Sequence, residues 1–193
     1  MSGEREGQAM DAAGFERMVR EVHDRQAIRE VVCNVARAID RQDRELILRC
    51  FHPDAVDDHG MFVGGAGDFF DWTDPSHLRF FRSHQHHVTN HVCELAGDVA
   101  HCETYWMFAG MTHEGGHLAT YGGRYVDRME RRGGEWRIAA RKLIVEWWGE
   151  GAVTPETAAV YAAVGKAARD RSDCSYERPL TVDPARVGIR MMF

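Results

Sequence analysis

Three glycine-centred turns constrain this chain most strongly. Gly97-Asp98, Gly115-Gly116 and Gly133-Gly134 divide its second half into four long stretches rich in apolar and aromatic residues: His84 to Ala96, Val99 to Met111, His117 to Arg131 and Glu135 to Trp148. Long strands joined in sequence by short Gly turns are hairpins. The second half is therefore expected to form an antiparallel, meandering sheet.

The first half has a different period. From Phe15 to Asp43, residues Ile28, Val31, Val32, Val35, Ala36 and Ile39 recur at three- and four-residue steps, and charged residues fill much of the opposite face, which predicts a long amphipathic helix. A shorter helix is expected over Arg44 to Phe51, ended by Pro53 and Asp54. A strand follows over Ala55 to Val63, closed by Gly64-Gly65. Asp68 to Arg82 carries Phe69, Phe70, Trp72, Leu78, Phe80 and Phe81; it is expected to be a helix broken near Pro75 that walls or covers a cavity. Helices first and strands afterwards argue an α+β fold.

Beyond Trp148, Thr154-Pro155-Glu156 marks a helix start with proline in its first turn, continued by Ala158 to Ala168. Residues 169–193 have no clear period. The expected organisation is a disordered tail over 1–13, one domain over 14–150, and a C-terminal helix and arm over 151–193 that packs on the domain or on a neighbouring subunit.

Composition narrows the function classes. The length of 193 residues suits one domain with a real core. A net charge of -6 implies no basic face, so nucleic acid is not an expected partner. No apolar run approaches the ~20 residues of a membrane helix, and the N-terminal segment lacks the apolar centre of a signal peptide. The five cysteines are scattered without a CxxC pair, which fits reduced thiols in a cytoplasm. No nucleotide-binding loop, flavin motif or HExxH spacing is present, so no cofactor and no metal are expected.

The residues suited to proton transfer cluster in two places. Asp40 sits one step beyond Ile39, at the edge of the apolar stripe, where it is either a solvated helix-end acid or a carboxylate turned into the core. His84, His86, His87 and His91 crowd one strand. Strict alternation puts His84, His86, Val88 and Asn90 on one face, and His87, Thr89 and His91 on the other. A carboxylate on one imidazole nitrogen orients the ring and leaves the other nitrogen free to take a proton. The rival use of these residues is a metal site, with His84 and His86 joined by Asp57, Asp58 or His59. His59 is otherwise a second acid, a substrate hydrogen-bond donor or a rim residue. Among the aromatic residues, Phe69, Trp72, Tyr105, Trp106, Tyr121 and Trp147 are candidate pocket walls, and a Tyr121 hydroxyl would polarise a carbonyl or hold a phenol. Arg124 and Arg141 are candidate anion contacts or outer-face charges.

Several local strings carry a family resemblance. They are Ala38-Ile39-Asp40-Arg41-Gln42-Asp43, Phe51-His52-Pro53-Asp54-Ala55, His86-His87-Val88-Thr89-Asn90-His91, Gly123-Arg124-Tyr125-Val126-Asp127-Arg128 and the turn Arg131 to Ile138. Together they resemble the SnoaL-like branch of the nuclear-transport-factor-2-like superfamily over roughly residues 20 to 150. The resemblance implies a cone-shaped α+β barrel in which a curved, mostly antiparallel sheet wraps the long N-terminal helix around an apolar cavity. It implies an Asp–His pair at Asp40 and His86. The second histidine of scytalone dehydratases has no clear counterpart near Tyr105-Trp106-Met107, so the one-pair pattern of hexachlorocyclohexane dehydrochlorinase fits better.

The expected activity is a cofactor-independent lyase acting on a hydrophobic aromatic or polycyclic small molecule, with Asp40, His86, His59 and Tyr121 as catalytic candidates. Phe69, Trp72, Asn90, Tyr105, Trp106, Arg124 and Trp147 are the substrate-contact candidates. Water or a small fragment such as formaldehyde would leave. The alternatives are a ketosteroid-isomerase-like isomerase and a non-catalytic assembly domain like a dioxygenase β subunit. A homo-oligomer, dimer or trimer, is expected in each case.

Overall fold

A computed structural model describes residues 11–113, 117–149, 165–166, 172 and 174–190. The helices are α1 (Ala12–Arg41), α2 (Arg44–Cys50) and α3 (Ala66–Phe80). The strands are β1 (Phe51–Asp58), β2 (Val63–Gly64), β3 (Phe81–Ala96), β4 (Val99–Thr112), β5 (Leu118–Arg132), β6 (Glu135–Gly149) and β7 (Gly165–Lys166), with short 3₁₀ turns at Cys174–Tyr176 and Pro184–Arg186. The sheet order is β2-β1-β6-β5-β4-β3, with β7 beside β6. The β3-β4-β5-β6 meander is antiparallel throughout, and β1 joins β6 in parallel. This is the expected α+β cone, left open as a mixed sheet.

The stripe on α1 seeds the core. Ile28, Val32, Val35, Ala36 and Ile39 are buried, and α1 lies against β3 and β6. Asp24, in the same stripe, is buried yet satisfied. Its Oδ1 accepts Arg131 Nη1 at 3.0 Å and Trp136 Nε1 at 2.9 Å, which ties α1 to the β5–β6 hairpin. The helix starts at Ala12, capped by Asp11, whose carboxylate accepts the Gly14 N–H at 2.7 Å. Residues 12 and 13 are thus helical, while the rest of the expected tail, up to residue 10, lies outside the described residues.

Two proline-based expectations are corrected. α2 stops at Cys50 and Pro53 lies inside β1, which starts at Phe51. The β1–β6 register shifts between Phe51 and Val56, so Pro53 falls in a gap of the ladder where its missing N–H leaves no bond unmade. α3 runs unbroken through Pro75. One backbone bond is lost there, and the Ser76 hydroxyl donates to the Trp72 carbonyl at 3.4 Å in the same turn.

The outer face of the sheet is partly covered. Leu180 is fully buried against Val126 and Ile144. The Gly188 N–H donates to the Val63 carbonyl at 2.9 Å, and Val63 N–H donates to the Ile189 carbonyl at 3.2 Å. The helix expected over 154–168 lies outside the described residues, except that Gly165 and Lys166 pair as strand with β6. Among the described residues no helix is long and apolar enough to cross a membrane.

One ion pair is wholly internal. Arg141 and Asp127, opposite one another on β6 and β5, form two hydrogen bonds of 2.7 and 2.8 Å with both side chains at 0% exposure. The guanidinium carbon lies 4.1 Å from the Tyr125 ring centroid. Arg141 is therefore held as a structural cross-brace beneath the site.

Candidate active site

Asp40 occupies the last turn of α1, where the buried Ala36 and Ile39 turn it toward the sheet. Its Oδ1 lies 2.7 Å from Nδ1 of His86, and its Oδ2 accepts the His86 backbone N–H at 2.9 Å. An aspartate with both bonds in place fixes the ring with Nδ1 as donor and leaves Nε2 with the lone pair. Among the described residues nothing hydrogen-bonds that Nε2. Both side chains are largely buried, at 12% and 9% exposure.

Two more histidines adjoin this pair, and a third lies beyond them. His84, two residues before His86 on the same face, has Nε2 3.7 Å from Asp40 Oδ1. His77, from the last turn of α3, has its ring centroid 4.7 Å from that of His84 and 5.9 Å from that of His86. Burial, and then the charges of His86, His84 and His59, hold His77 well below the usual imidazole range. Burial, followed by the charge of His86, also lowers His84. His59, in the loop after β1, stacks on Phe69 at 4.1 Å. Its Nδ1 is 2.8 Å from Oδ1 of Asp57, a fully buried carboxylate, though not aligned as a hydrogen bond. Arg186 steadies this loop, with Nε 3.2 Å from Asp58 Oδ2 and Nη2 donating to the Gly60 carbonyl at 3.1 Å.

Aromatic rings form the walls. Phe108, directly opposite His86 on β4, stacks on His84 at 5.7 Å and meets His86 edge-on at 5.0 Å. Tyr121 lies 5.5 Å from Phe108. Trp106 stacks on Tyr125 at 5.6 Å, and its buried Nε1–H has no partner among the described residues. Phe69 and Trp72 join Phe62 on the α3 side.

The structure thus groups Asp40, His86, Tyr121 and Trp106 around Phe108, with His59, Phe69 and Trp72 in an adjoining aromatic group whose His59 charge is felt at His77. Four other candidates lie elsewhere. Tyr105 and Arg124 are opposite partners on the outer face. Arg124 is buried there between Glu103 and Glu146, at 3.1 and 2.8 Å. Trp147 is exposed and covers Gly122, where an added Cβ would sit 2.2 Å from the indole. Asn90 is exposed because the β3–β4 register slips between Val88 and His91. That bulge ends the alternation counted from His84 and turns His91 inward opposite Thr104. His77 was missed by sequence reasoning, although its spacing from Ala66, Phe69, Phe70 and Thr73 continues their buried stripe.

Asp40, His84 and His86 each place one donor atom within 4.8 Å of the others. This two-histidine, one-carboxylate set takes its third donor from Asp40 of α1, not from Asp57, Asp58 or His59 as the metal alternative expected.

Comparison with known proteins agrees with this fold. Solved structures of similar fold include hexachlorocyclohexane dehydrochlorinase LinA-type3 from Novosphingobium barchaimii (18% identity, 68% of this chain and 92% of that one, TM-score 0.60). A provisionally assigned scytalone dehydratase from Novosphingobium aromaticivorans is similar as well (18%, 69% and 91%, 0.61). A third is a Mycobacterium tuberculosis protein of unknown function (26%, 72% and 91%, 0.58). None of the curated proteins matches the sequence. The model of the SnoaL-like domain matches residues 20–142, a span that runs from α1 into β6 and includes Asp40, His59, His77, His84 and His86; the chain belongs to the SnoaL-like domain family.

Proposed function

We propose that this protein is a lyase that eliminates a leaving group from a hydrophobic, aromatic small molecule by histidine acid–base chemistry. The observation that carries the reading is the double grip of Asp40 on His86, through the ring and through the backbone N–H. His86 Nε2 takes a proton from a substrate carbon. The electron pair left behind forms the new double bond, and the bond from the adjacent carbon to oxygen breaks. His59 delivers a proton to the departing oxygen, which leaves as water. His77, held neutral by burial, adds a polar wall without a competing positive charge. Phe69, Trp72, Phe108 and Tyr121 supply ring faces for an aromatic substrate, and Trp106 Nε1–H is a buried donor for a substrate oxygen.

Self-association is part of this reading. Phe15, Met18, Val19 and Val22 expose an apolar stripe on the first half of α1, which supports a homo-oligomer.

The test is product mass after incubation with a panel of aryl-alkanols, aryl-propanediols and cyclic ketones. Loss of water, abolished by His86→Ala and retained after chelation, supports the reading. Loss of formaldehyde assigns a carbon–carbon lyase using the same base. A product of unchanged mass means isomerisation. Activity lost on chelation and restored by a divalent cation overturns the metal-free mechanism in favour of the Asp40, His84 and His86 donor set.

A further inference from the structure

The bulge in β3 creates a second cluster, separate from the Asp40–His86 site. Past the bulge, His91 and Cys93 face inward, and Cys93 is the direct cross-strand partner of Cys102 on β4. Both cysteines are free thiols; Cys102 is buried and Cys93 half-buried. His91 Nδ1 lies 2.8 Å from the Thr104 hydroxyl, while its buried Nε2 has no hydrogen-bond partner among the described residues. One donor atom from each of His91, Cys93 and Cys102 lies within 4.8 Å of the other two. Arg25 anchors the backbone here, its Nη1 donating to the Cys93 carbonyl at 2.6 Å.

We propose that His91, Cys93 and Cys102 bind one thiophilic divalent cation, zinc, with a fourth coordination position open to solvent. Two sulfurs and an imidazole favour zinc over the hard cations magnesium and calcium. Two thiolates neutralise the charge of the ion, so a half-buried position is tolerable once each thiol has given its proton to solvent. A tetrahedral ion with bonds of about 2.0–2.3 Å spans donors roughly 3.5 Å apart, so donors that already lie within 4.8 Å of one another need close by no more than about an ångström. Thr104, bonded to the other imidazole nitrogen, fixes ring and tautomer as outer partners of zinc-bound histidines do. The open position faces a groove of about 340 Å³ between α1 and β3, lined by Val22, Arg25, Gln26 and Arg29 besides His91 and Cys93.

Cobalt(II) titration of the reduced full-length protein tests this, because thiolate ligation gives a near-ultraviolet charge-transfer band that histidine and carboxylate ligands alone do not. One equivalent should develop that band, and zinc should bleach it. Replacing both thiols, Cys93→Ser with Cys102→Ser, should abolish it with the circular dichroism unchanged. His86→Ala should leave it intact, which separates this site from the Asp40 cluster. Thr104→Val should weaken binding by about 10- to 100-fold. Absence of the band, or its survival in the double serine variant, overturns the proposal. Formation of a Cys93–Cys102 disulfide by a protein that takes up no cobalt when reduced overturns it as well, and assigns the pair to redox chemistry instead.

Discussion

Asp40 reaches His86 twice, through Nδ1 at 2.7 Å and through the backbone N–H at 2.9 Å. The first bond sets the ring, and the second sets the strand that carries it. Asp40→Asn keeps an acceptor for the backbone N–H but removes the negative charge beside the ring. It should lower kcat with little change in the unfolding midpoint, whereas His86→Ala should cost roughly 10²–10⁴-fold in kcat. Steady-state kinetics beside thermal denaturation checks both. Turnover unaffected by either substitution would sink the dyad.

His77 and His84 are both held below their ordinary 6.5, chiefly by burial. Between the lowered values and 6.5 the unfolded chain binds more protons than the folded one, so stability rises with pH across that window. Stability should be full above about pH 6.5 and should fall on acidification, by at most about 1.4 kcal/mol per pH unit for each such proton. His77→Gln should make the fall shallower. An unchanged slope of unfolding free energy against pH in that variant would contradict the assignment.

The Arg141–Asp127 brace makes a different prediction. Removing Asp127 alone takes both hydrogen bonds from a buried guanidinium, leaves it only the more distant charge of Asp57, and should cost about 3–5 kcal/mol. Replacing both residues by apolar ones of similar volume should cost much less. Denaturant midpoints for Asp127→Ala, Arg141→Met and the double variant measure the coupling, and strict additivity would refute it.

Adjacent glycines in β5 should respond unequally to alanine. At Gly123 the new Cβ would lie 1.8 Å from the Ile144 carbonyl oxygen, a backbone atom fixed in the ladder. At Gly122 it would meet the exposed indole of Trp147, which can swing into solvent. Gly122→Ala should cost about 1 kcal/mol, and Gly123→Ala more than about 4 kcal/mol or all soluble protein. Equal midpoints would show that the β6 backbone yields.

What could be read in the sequence tracked how local the cause was. Gly97, Gly133 and Gly134 adopt positive φ at the hairpin turns, so the meander and the limits of β4, β5 and β6 were legible to within a residue, whereas β3 starts at Phe81, three residues ahead of the expected His84. Asp40 and His86 were legible as a pair only through family resemblance, since no spacing relates residues 46 apart. Tyr105, Arg124 and Trp147 faced the wrong way for a pocket because strand parity alone does not say which face is inside. Asn90 failed for a subtler reason. Nothing in Val88-Thr89-Asn90-His91 announces that two residues will stand opposite Tyr105 alone, because a bulge is decided jointly by both strands.

That extra residue gives β3 two reading frames. Ahead of it the even positions His84 and His86 look inward; behind it the odd positions His91 and Cys93 do. Deleting either Thr89 or Asn90 would leave one residue opposite Tyr105 and restore strict alternation, so His84, His86, His91 and Cys93 would all keep their inward direction. What the deletion would remove is the local bend and added twist that a bulge gives its strand, and with them the angle between the half of β3 that carries His84 and His86 and the half that carries His91 and Cys93.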